Sequence, residues 1–172
     1  DAIKLFRSES GKKAEKKGSR IAAEGIVNFY ENSKSIIILE LNSETDFVAK
    51  DTNFVSLAES IGSDLLEKDI EDCKDSINEK INGSISKLGE NIKLRRFFKL
   101  DKTNYTFGYS HNNKIASLVE LRNSDESLAK DICMQIVASN PIAIDESSIA
   151  LDILKSEKDI YKKELDKIDK KE

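Results

Sequence analysis

The segment that most constrains the fold is an apolar strand that runs into a helix. Ile36, Ile37, Ile38 and Leu39 form a continuous apolar run, which predicts a strand buried on both faces. From Asn53 to Leu65, apolar residues recur at the spacing of one helical face: Phe54, Leu57, Ala58, Ile61 and Leu65. The pattern therefore predicts a strand, a short connection and a helix.

The connection carries Thr45, Asp46, Phe47 and Val48, and two interpretations of it are open. In the first, Thr45 or Ser43 caps the helix and Phe47 packs in the core. In the second, Asp46 and Phe47 form an exposed wedge that binds another protein. The second interpretation is considered because folding alone does not require an acid and an aromatic residue at this tip.

The second half of the chain partly repeats the first. Each half contains two short strands joined by a polar turn, and the predicted pairs are Gly25–Tyr30 with Ser35–Asn42, and Gly108–Ser110 with Ile115–Leu121. A helix follows each pair, and Pro141 ends the second one. We therefore predict an α+β fold of two similar subdomains, each a small antiparallel sheet with packed helices, plus a terminal helix at each end.

Two further elements complete the first subdomain. A polar helix is predicted over Glu71–Ile81, ended by Asn82-Gly83. A strand is predicted over Asn91–Leu100, with one buried face formed by Ile92, Leu94, Phe98 and Leu100. The predicted division is a helical remnant and linker at 1–19, a first subdomain at 20–103, a second at 104–150 and a charged helix at 151–172.

Composition limits the classes of partner. The 172 residues carry a net charge of −4, which argues against nucleic-acid binding, because that binding relies on clustered Lys and Arg. No apolar run approaches the roughly 18 residues of a membrane span, and the N-terminal sequence lacks the apolar stretch of a signal peptide. We expect a cytoplasmic protein without membrane contact, and an organelle matrix stays open as its setting.

No pattern of catalytic, metal-binding or cofactor-binding residues is present. Gly11-Lys12 lacks the glycine and the Ser or Thr of a phosphate-binding loop, so direct nucleotide binding is not expected. His111 is the only histidine, and Cys73 and Cys133 lie in no CxxC motif, which argues against a zinc site and a serine triad. We predict that the chain is not an enzyme, that it binds no metal or cofactor, and that both cysteines are free thiols.

The segment Glu40–Lys50 resembles the elongation factor Ts family, whose motif reads E-(V/L)-N-C-E-T-D-F-V-A-(K/R)-N. The match has one change, Ser43 for Cys, and Asp51 follows where Asn is usual. Three other segments are similar to family motifs in the same order: Ala22–Gly25, Leu88–Ile92 with Arg95-Arg96, and Gly108–His111. The resemblance covers most of the chain.

The resemblance implies a nucleotide exchange factor for the translational GTPase elongation factor Tu, bound in its GDP and nucleotide-free states. It implies that the segment Thr45–Val48 enters the GTPase near its magnesium site, where Phe47 displaces a helix and Asp46 fixes the wedge. It further implies contacts from Leu88, Gly89 and His111.

One departure from the family, the possibility of a homodimer and one alternative function are open. The later strand of the family has no counterpart, so the completeness of the second subdomain stays open, and so does a homodimer through the helix at 151–172. The alternative is a small α+β RNA-binding module, suggested by aromatic residues near basic ones: Phe97, Phe98, Tyr105 and Phe107 beside Lys93, Arg95, Arg96 and Lys99. The expected burial of Phe98 argues against it.

Overall fold

A computed structural model describes residues 17–103, 105–123 and 125–168. The chain forms two compact units, one ending at Ala138 and one beginning at Ser139. The strands are β1 (Glu24–Glu31), β2 (Ser35–Ser43), β3 (Lys93–Asp101), β4 (Thr106–His111) and β5 (Ile115–Glu120). The helices are α1 (Asp46–Ala49), α2 (Thr52–Glu67), α3 (Ile70–Leu88), α4 (Glu126–Ser139) and α5 (Leu151–Ile168), with a 3₁₀ turn at Glu146–Ser148.

Strand β2 is the centre of the first sheet, which is antiparallel in the order β1-β2-β3. Ile37, Leu39 and Leu41 are fully buried in the core that α2 and α3 cover. On the opposite face, Ile36 is equally buried and lies close to Gly108 of the second sheet. The prediction of a strand buried on both faces is confirmed.

Helix α3 continues past the predicted stop at Asn82-Gly83, so that prediction is wrong. Ile77, Ile81 and Ile85 are buried at successive four-residue intervals, so the same apolar stripe crosses the glycine without a break. An interior glycine costs about 1 kcal/mol relative to alanine, which is less than the gain from burying one isoleucine side chain. The helix ends instead at Gly89.

A bulge in β3 reverses the predicted burial of Phe98. Leu94 pairs with Leu41 and Arg96 with Glu40, which leaves Arg95 as an extra residue and shifts the alternation of side chains by one. Phe97 therefore packs against the core, whereas Phe98 is 60% exposed. The expected burial of Phe98 was wrong because strict alternation fails at a bulge.

The second sheet is the antiparallel pair β4-β5, and α4 packs against it. Val119, Ala129 and Cys133 form its small buried core. The two sheets with their helices confirm the predicted α+β fold class, whereas the predicted N-terminal helix lies almost entirely outside the described residues. The four-part division into domains stays a prediction.

The unit beginning at Ser139 contains the 3₁₀ turn and α5. Helix α5 exposes a stripe of large apolar side chains at Leu151, Ile153, Ile160, Tyr161 and Leu165. Tyr161 and Leu165 also belong to the coiled-coil-like spacing of Leu154, Tyr161, Leu165 and Ile168, which suggested a homodimer. The homodimer itself stays a prediction.

We expect Gly83→Ala to stabilise the chain by up to about 1 kcal/mol, because alanine is the better helix former. A Cβ at this position meets open space, so no steric cost opposes the gain. The free energy of unfolding from urea denaturation tests this. As a control, Gly62→Ala should destabilise by roughly 1–3 kcal/mol, because its Cβ would lie 2.5 Å from the Tyr30 ring. A destabilised Gly83→Ala would contradict the structure of α3.

The ion pairs of Glu40 should make the stability of the chain depend on pH. Burial alone would raise the pKa of Glu40, but the hydrogen bond and charge of Arg96, with the charge of Arg95, hold this pKa below its ordinary value of 4.5. A group with a lowered folded-state pKa contributes stability above its unfolded pKa and loses that contribution as the pH falls through its folded pKa.

We therefore expect Glu40→Gln to be less stable than the wild type by roughly 1–3 kcal/mol at about pH 7, with the difference shrinking at about pH 3. Urea denaturation at a series of pH values measures the difference in stability and its change with pH. Glu79→Gln, at an exposed position of α3, is the matched control and should follow the wild-type pH profile. A difference that does not change with pH would contradict the assignment.

Candidate functional site

The turn after β2 presents Phe47 to solvent. Thr45 is the N-cap of the one-turn helix α1, and its hydroxyl accepts a hydrogen bond from Val48 N–H at 3.4 Å. Phe47 is 81% exposed, although Ala49 of the same helix is buried. Thr45 therefore caps α1, whereas the longer helix of the first interpretation, α2, is capped by Asp51. The first interpretation was also wrong about Phe47. The side chain points away from the core because the short helix uses Ala49 as its buried residue.

Charged groups surround the exposed ring. Asp46 pairs with Lys50 at 2.7 Å across one helical turn. The hydrogen bond from Lys50 and its charge lower the pKa of Asp46, with a smaller contribution from the charge of Lys114. Asp46 is thus ionised at neutral pH and lies within electrostatic reach of the second hairpin.

Glu90 connects the end of α3 to this turn. Its Oε2 accepts hydrogen bonds from the N–H groups of Glu44 at 3.1 Å and Thr45 at 3.0 Å. Its Oε1 accepts a hydrogen bond from the Thr45 hydroxyl at 2.6 Å. In the opposite direction, Glu44 Oε1 accepts a hydrogen bond from Asn91 N–H at 2.7 Å. Four hydrogen bonds therefore join two segments that are distant in sequence.

Leu88 and Gly89 lie directly before Glu90. Leu88 is half-buried and packs against the core of the first unit, so only part of its side chain reaches the surface. Gly89 is exposed and has φ 83°, the left-handed conformation that commonly ends a helix. The predicted pair is thus brought beside the Thr45–Val48 turn, with Gly89 as its more accessible member.

His111 lies at the tip of the β4-β5 hairpin and is exposed. Its Nδ1 lies 3.1 Å from the Tyr109 hydroxyl oxygen. Asn112 and Asn113 follow with φ values of 52° and 54°, a conformation that asparagine adopts more readily than most residues. Asn113 then accepts a hydrogen bond from Val27 N–H at 2.8 Å, which fixes the tip on β1.

The hairpin tip lies at the same end of the first sheet as the Phe47 turn. Lys114 pairs with Glu24 at 2.8 Å, and Glu24 pairs with Ser43 at the end of β2. The structure therefore gathers all seven predicted residues at one end of the sheet: Thr45, Asp46, Phe47, Val48, Leu88, Gly89 and His111. We call this group the turn surface.

The sequence interpretation did not assign a role to Glu90 or Lys114. Glu90 lies inside the segment Leu88–Ile92, which is similar to a family motif, but nothing in its spacing from Thr45 indicated that the two residues are in contact.

Among the described residues, no group of three or more His, Cys, Asp or Glu side chains could hold a metal ion. In the same part of the chain, no helix has both the length and the apolar character needed to cross a membrane.

Several of the residues that suggested RNA binding make contacts within the fold. Phe97 packs against the first core and Phe107 against the second. Arg95 and Arg96 both pair with Glu40. Lys99 donates hydrogen bonds to the Leu65 and Leu66 carbonyl oxygens at the end of α2. Phe98 is exposed and lines a shallow pocket with Phe97 and Arg96, so the RNA-binding alternative stays a prediction.

The fold and the turn surface define a two-sheet α+β protein with an exposed, capped aromatic turn. The family model described as elongation factor Ts matches residues 44–172. The chain belongs to the elongation factor Ts family.

Individual relatives agree with the family model. The chain is 41% identical to elongation factor Ts of Clostridium acetobutylicum, over 94% of this chain and 59% of the relative. It is 38% identical to that of Thioalkalivibrio sulfidiphilus, over 93% and 59%, and 37% identical to that of Halothermothrix orenii, over 95% and 61%. The chain thus spans about three fifths of the length of the curated relatives it matches.

We expect Gly89→Ala to destabilise the chain by about 1 kcal/mol, because a residue with a Cβ is strained at φ 83°. The space itself is open, with Lys17 Nζ at 3.7 Å as the nearest atom, so the cost comes from the backbone. Gly89→Asn should lose less, because asparagine tolerates this conformation. Urea denaturation of the three proteins tests the order. Equal losses for both variants would contradict this account.

Proposed function

We propose that the chain binds elongation factor Tu and promotes release of its GDP, acting as a translation elongation factor without covalent chemistry. The observation that carries the proposal is Phe47, an aromatic side chain 81% exposed on a capped turn. Membership of the elongation factor Ts family supports the choice of partner. Because translation takes place there, the proposed setting is the cytoplasm or an organelle matrix.

An exchange factor works by thermodynamic linkage. If it binds the nucleotide-free GTPase more tightly than the GDP-bound form, the nucleotide is held more weakly by the same factor. This requires a surface that competes with the nucleotide or its Mg²⁺, and it requires no catalytic group. The proposal that the chain is not an enzyme follows from this mechanism.

Phe47 and Asp46 suit that task. Mg²⁺ in a GTPase bridges protein side chains and nucleotide phosphates, so moving its ligands apart weakens nucleotide binding. In the proposed complex, Phe47 inserts its ring near this site and displaces a helix of the GTPase. Asp46 would hydrogen-bond to the partner and keep the ring in place, and its lowered pKa keeps it charged.

The remaining residues of the turn surface would widen the contact. Gly89 has no side chain and lies exposed beside the Phe47 turn, so a partner backbone could approach it closely. Thr45 and Val48 would flank the inserted ring. We propose that His111 contacts the phosphate-binding side of the GTPase from the neighbouring hairpin tip.

We expect Phe47→Ala to reduce the stimulated rate of GDP release by roughly 30-fold, because buried aromatic anchors commonly carry at least 2 kcal/mol of an interface. Release of fluorescent GDP from elongation factor Tu at physiological Mg²⁺ measures this rate. Phe98→Ala is the matched control, since Phe98 is also exposed but lies on β3 outside the turn surface. It should leave stimulated release unchanged.

Two outcomes would count against the proposal. If the wild-type chain neither accelerates release nor captures nucleotide-free elongation factor Tu, the assignment of partner is wrong. If Phe47→Ala and Phe98→Ala lose the same activity, the contribution of Phe47 is not a specific contact.

A further inference from the structure

We propose that Glu90 is a positioning residue, whose carboxylate holds the turn that presents Phe47. This inference rests on the proposed function for its purpose, although its structural part can be tested in the chain alone. Glu90 lies outside α1 and β2 and reaches the turn from the connection between α3 and β3. It would act through Thr45 rather than through contact with the partner.

The turn needs an external support. Helix α1 has four residues, and an isolated helix of that length does not form in water, because helix nucleation is unfavourable. Ala49 is its only fully buried residue. Phe47, which would otherwise be the natural anchor, faces solvent. Apolar packing of the turn therefore relies on Ala49 and the partly buried Val48, and the exposed ring itself adds little to it.

Glu90 supplies hydrogen-bond acceptors where the turn presents donors. The backbone N–H groups of Glu44 and Thr45 both point at one carboxylate oxygen. Hydrogen bonds to a charged acceptor are roughly twice as strong as those between neutral groups. Two consecutive backbone groups are thus held immediately before the helix begins.

The other carboxylate oxygen sets the orientation of the cap. The Thr45 hydroxyl has one proton, and it donates this proton to Glu90 Oε1 at 2.6 Å. A lone pair of the same hydroxyl oxygen then accepts the hydrogen bond from Val48 N–H. Glu90 therefore determines the proton arrangement that allows Thr45 to cap α1, with Phe47 lying within the capped turn.

A reciprocal bond makes the support rigid. Glu44 Oε1 accepts a hydrogen bond from Asn91 N–H, so each segment contributes a carboxylate to the backbone of the other. Gly89 directly precedes Glu90, and Phe47 follows Thr45 by two residues. The cross-bracing therefore fixes the separation between two proposed partner contacts. A surface ordered before binding avoids the entropic cost of ordering it in the complex.

The first test is amide hydrogen exchange of the isolated 172-residue chain. We expect Glu90→Ala to increase the exchange rates of the Thr45 and Val48 amides by roughly 10-fold or more, because each loses a charged or capping interaction. Exchange in the centre of β2 should stay within about threefold of the wild type. Glu90→Gln keeps one oxygen for the backbone donors but loses the charge and the acceptor for the Thr45 hydroxyl, so its rates should lie between those of the wild type and Glu90→Ala. Glu79→Ala, an exposed carboxylate on α3, is the control.

The second test asks whether the support acts through Phe47. Glu90→Ala should reduce stimulated GDP release by roughly 10-fold in the wild-type background and by less than about twofold in the Phe47→Ala background. Glu90→Gln should restore only part of the rate, because it keeps the backbone acceptor and loses the acceptor for the Thr45 hydroxyl. A residue that matters only for general stability would lower activity by the same factor in both backgrounds.

The outcomes separate the two proposals. Unchanged exchange at Thr45 and Val48 in Glu90→Ala would overturn the role of Glu90, and so would equal losses of GDP release in the two backgrounds. Faster exchange confined to the turn, with non-additive losses, would support it. If the wild-type chain fails to stimulate release, the proposed function fails, and the exchange rates still decide whether Glu90 holds the turn.

Discussion

Strand β2 is covered by α2 and α3 on one face and approached by the second hairpin on the other, and this double burial organises the first unit. Ile37 and Leu39 are buried on the face that α2 and α3 cover, whereas Ile36 is buried on the face that the second hairpin approaches. Each fully buried aliphatic side chain contributes about 1.5–3 kcal/mol, so exposing either face would be costly. The same arrangement brings the ends of β2 and β4 to one side, where the turn surface lies.

Continuous patterns made much of this fold predictable. The apolar run at Ile36–Leu39 and the helical spacing from Phe54 to Leu65 indicated the correct elements, because burial dominates both. Errors arose where a local rule competed with tertiary contacts. Gly83 is a helix breaker by propensity, yet it lies inside α3 because the flanking isoleucines are buried. Arg95 shifts the alternation of β3, and no pattern of apolar residues marks a bulge of one residue.

Family motifs supplied the seven residues of the turn surface, but the sequence did not indicate the contacts that connect them. Pattern alone left open whether Phe47 was buried. The exposure of Phe47 depends on Ala49 taking the buried position of a very short helix. The contact between Glu90 and Thr45 depends on where α3 ends, and that end was wrongly placed at Asn82-Gly83. Because the end of α3 was predicted too early, the sequence did not indicate that Glu90 lies beside Thr45.

The hydrogen bonds that join Glu44 and Thr45 to Glu90 also have a consequence for the order of folding. Strands β1 and β2 pair through a short local turn, but Glu90 joins residues 46 and 45 positions earlier in the chain. Contacts of such large sequence separation form late, because a long loop must close before they are made. The turn that carries Phe47 is thus completed only after α2, α3 and β3 have assembled. A newly synthesised chain would therefore present its ordered aromatic turn only once the first sheet is whole.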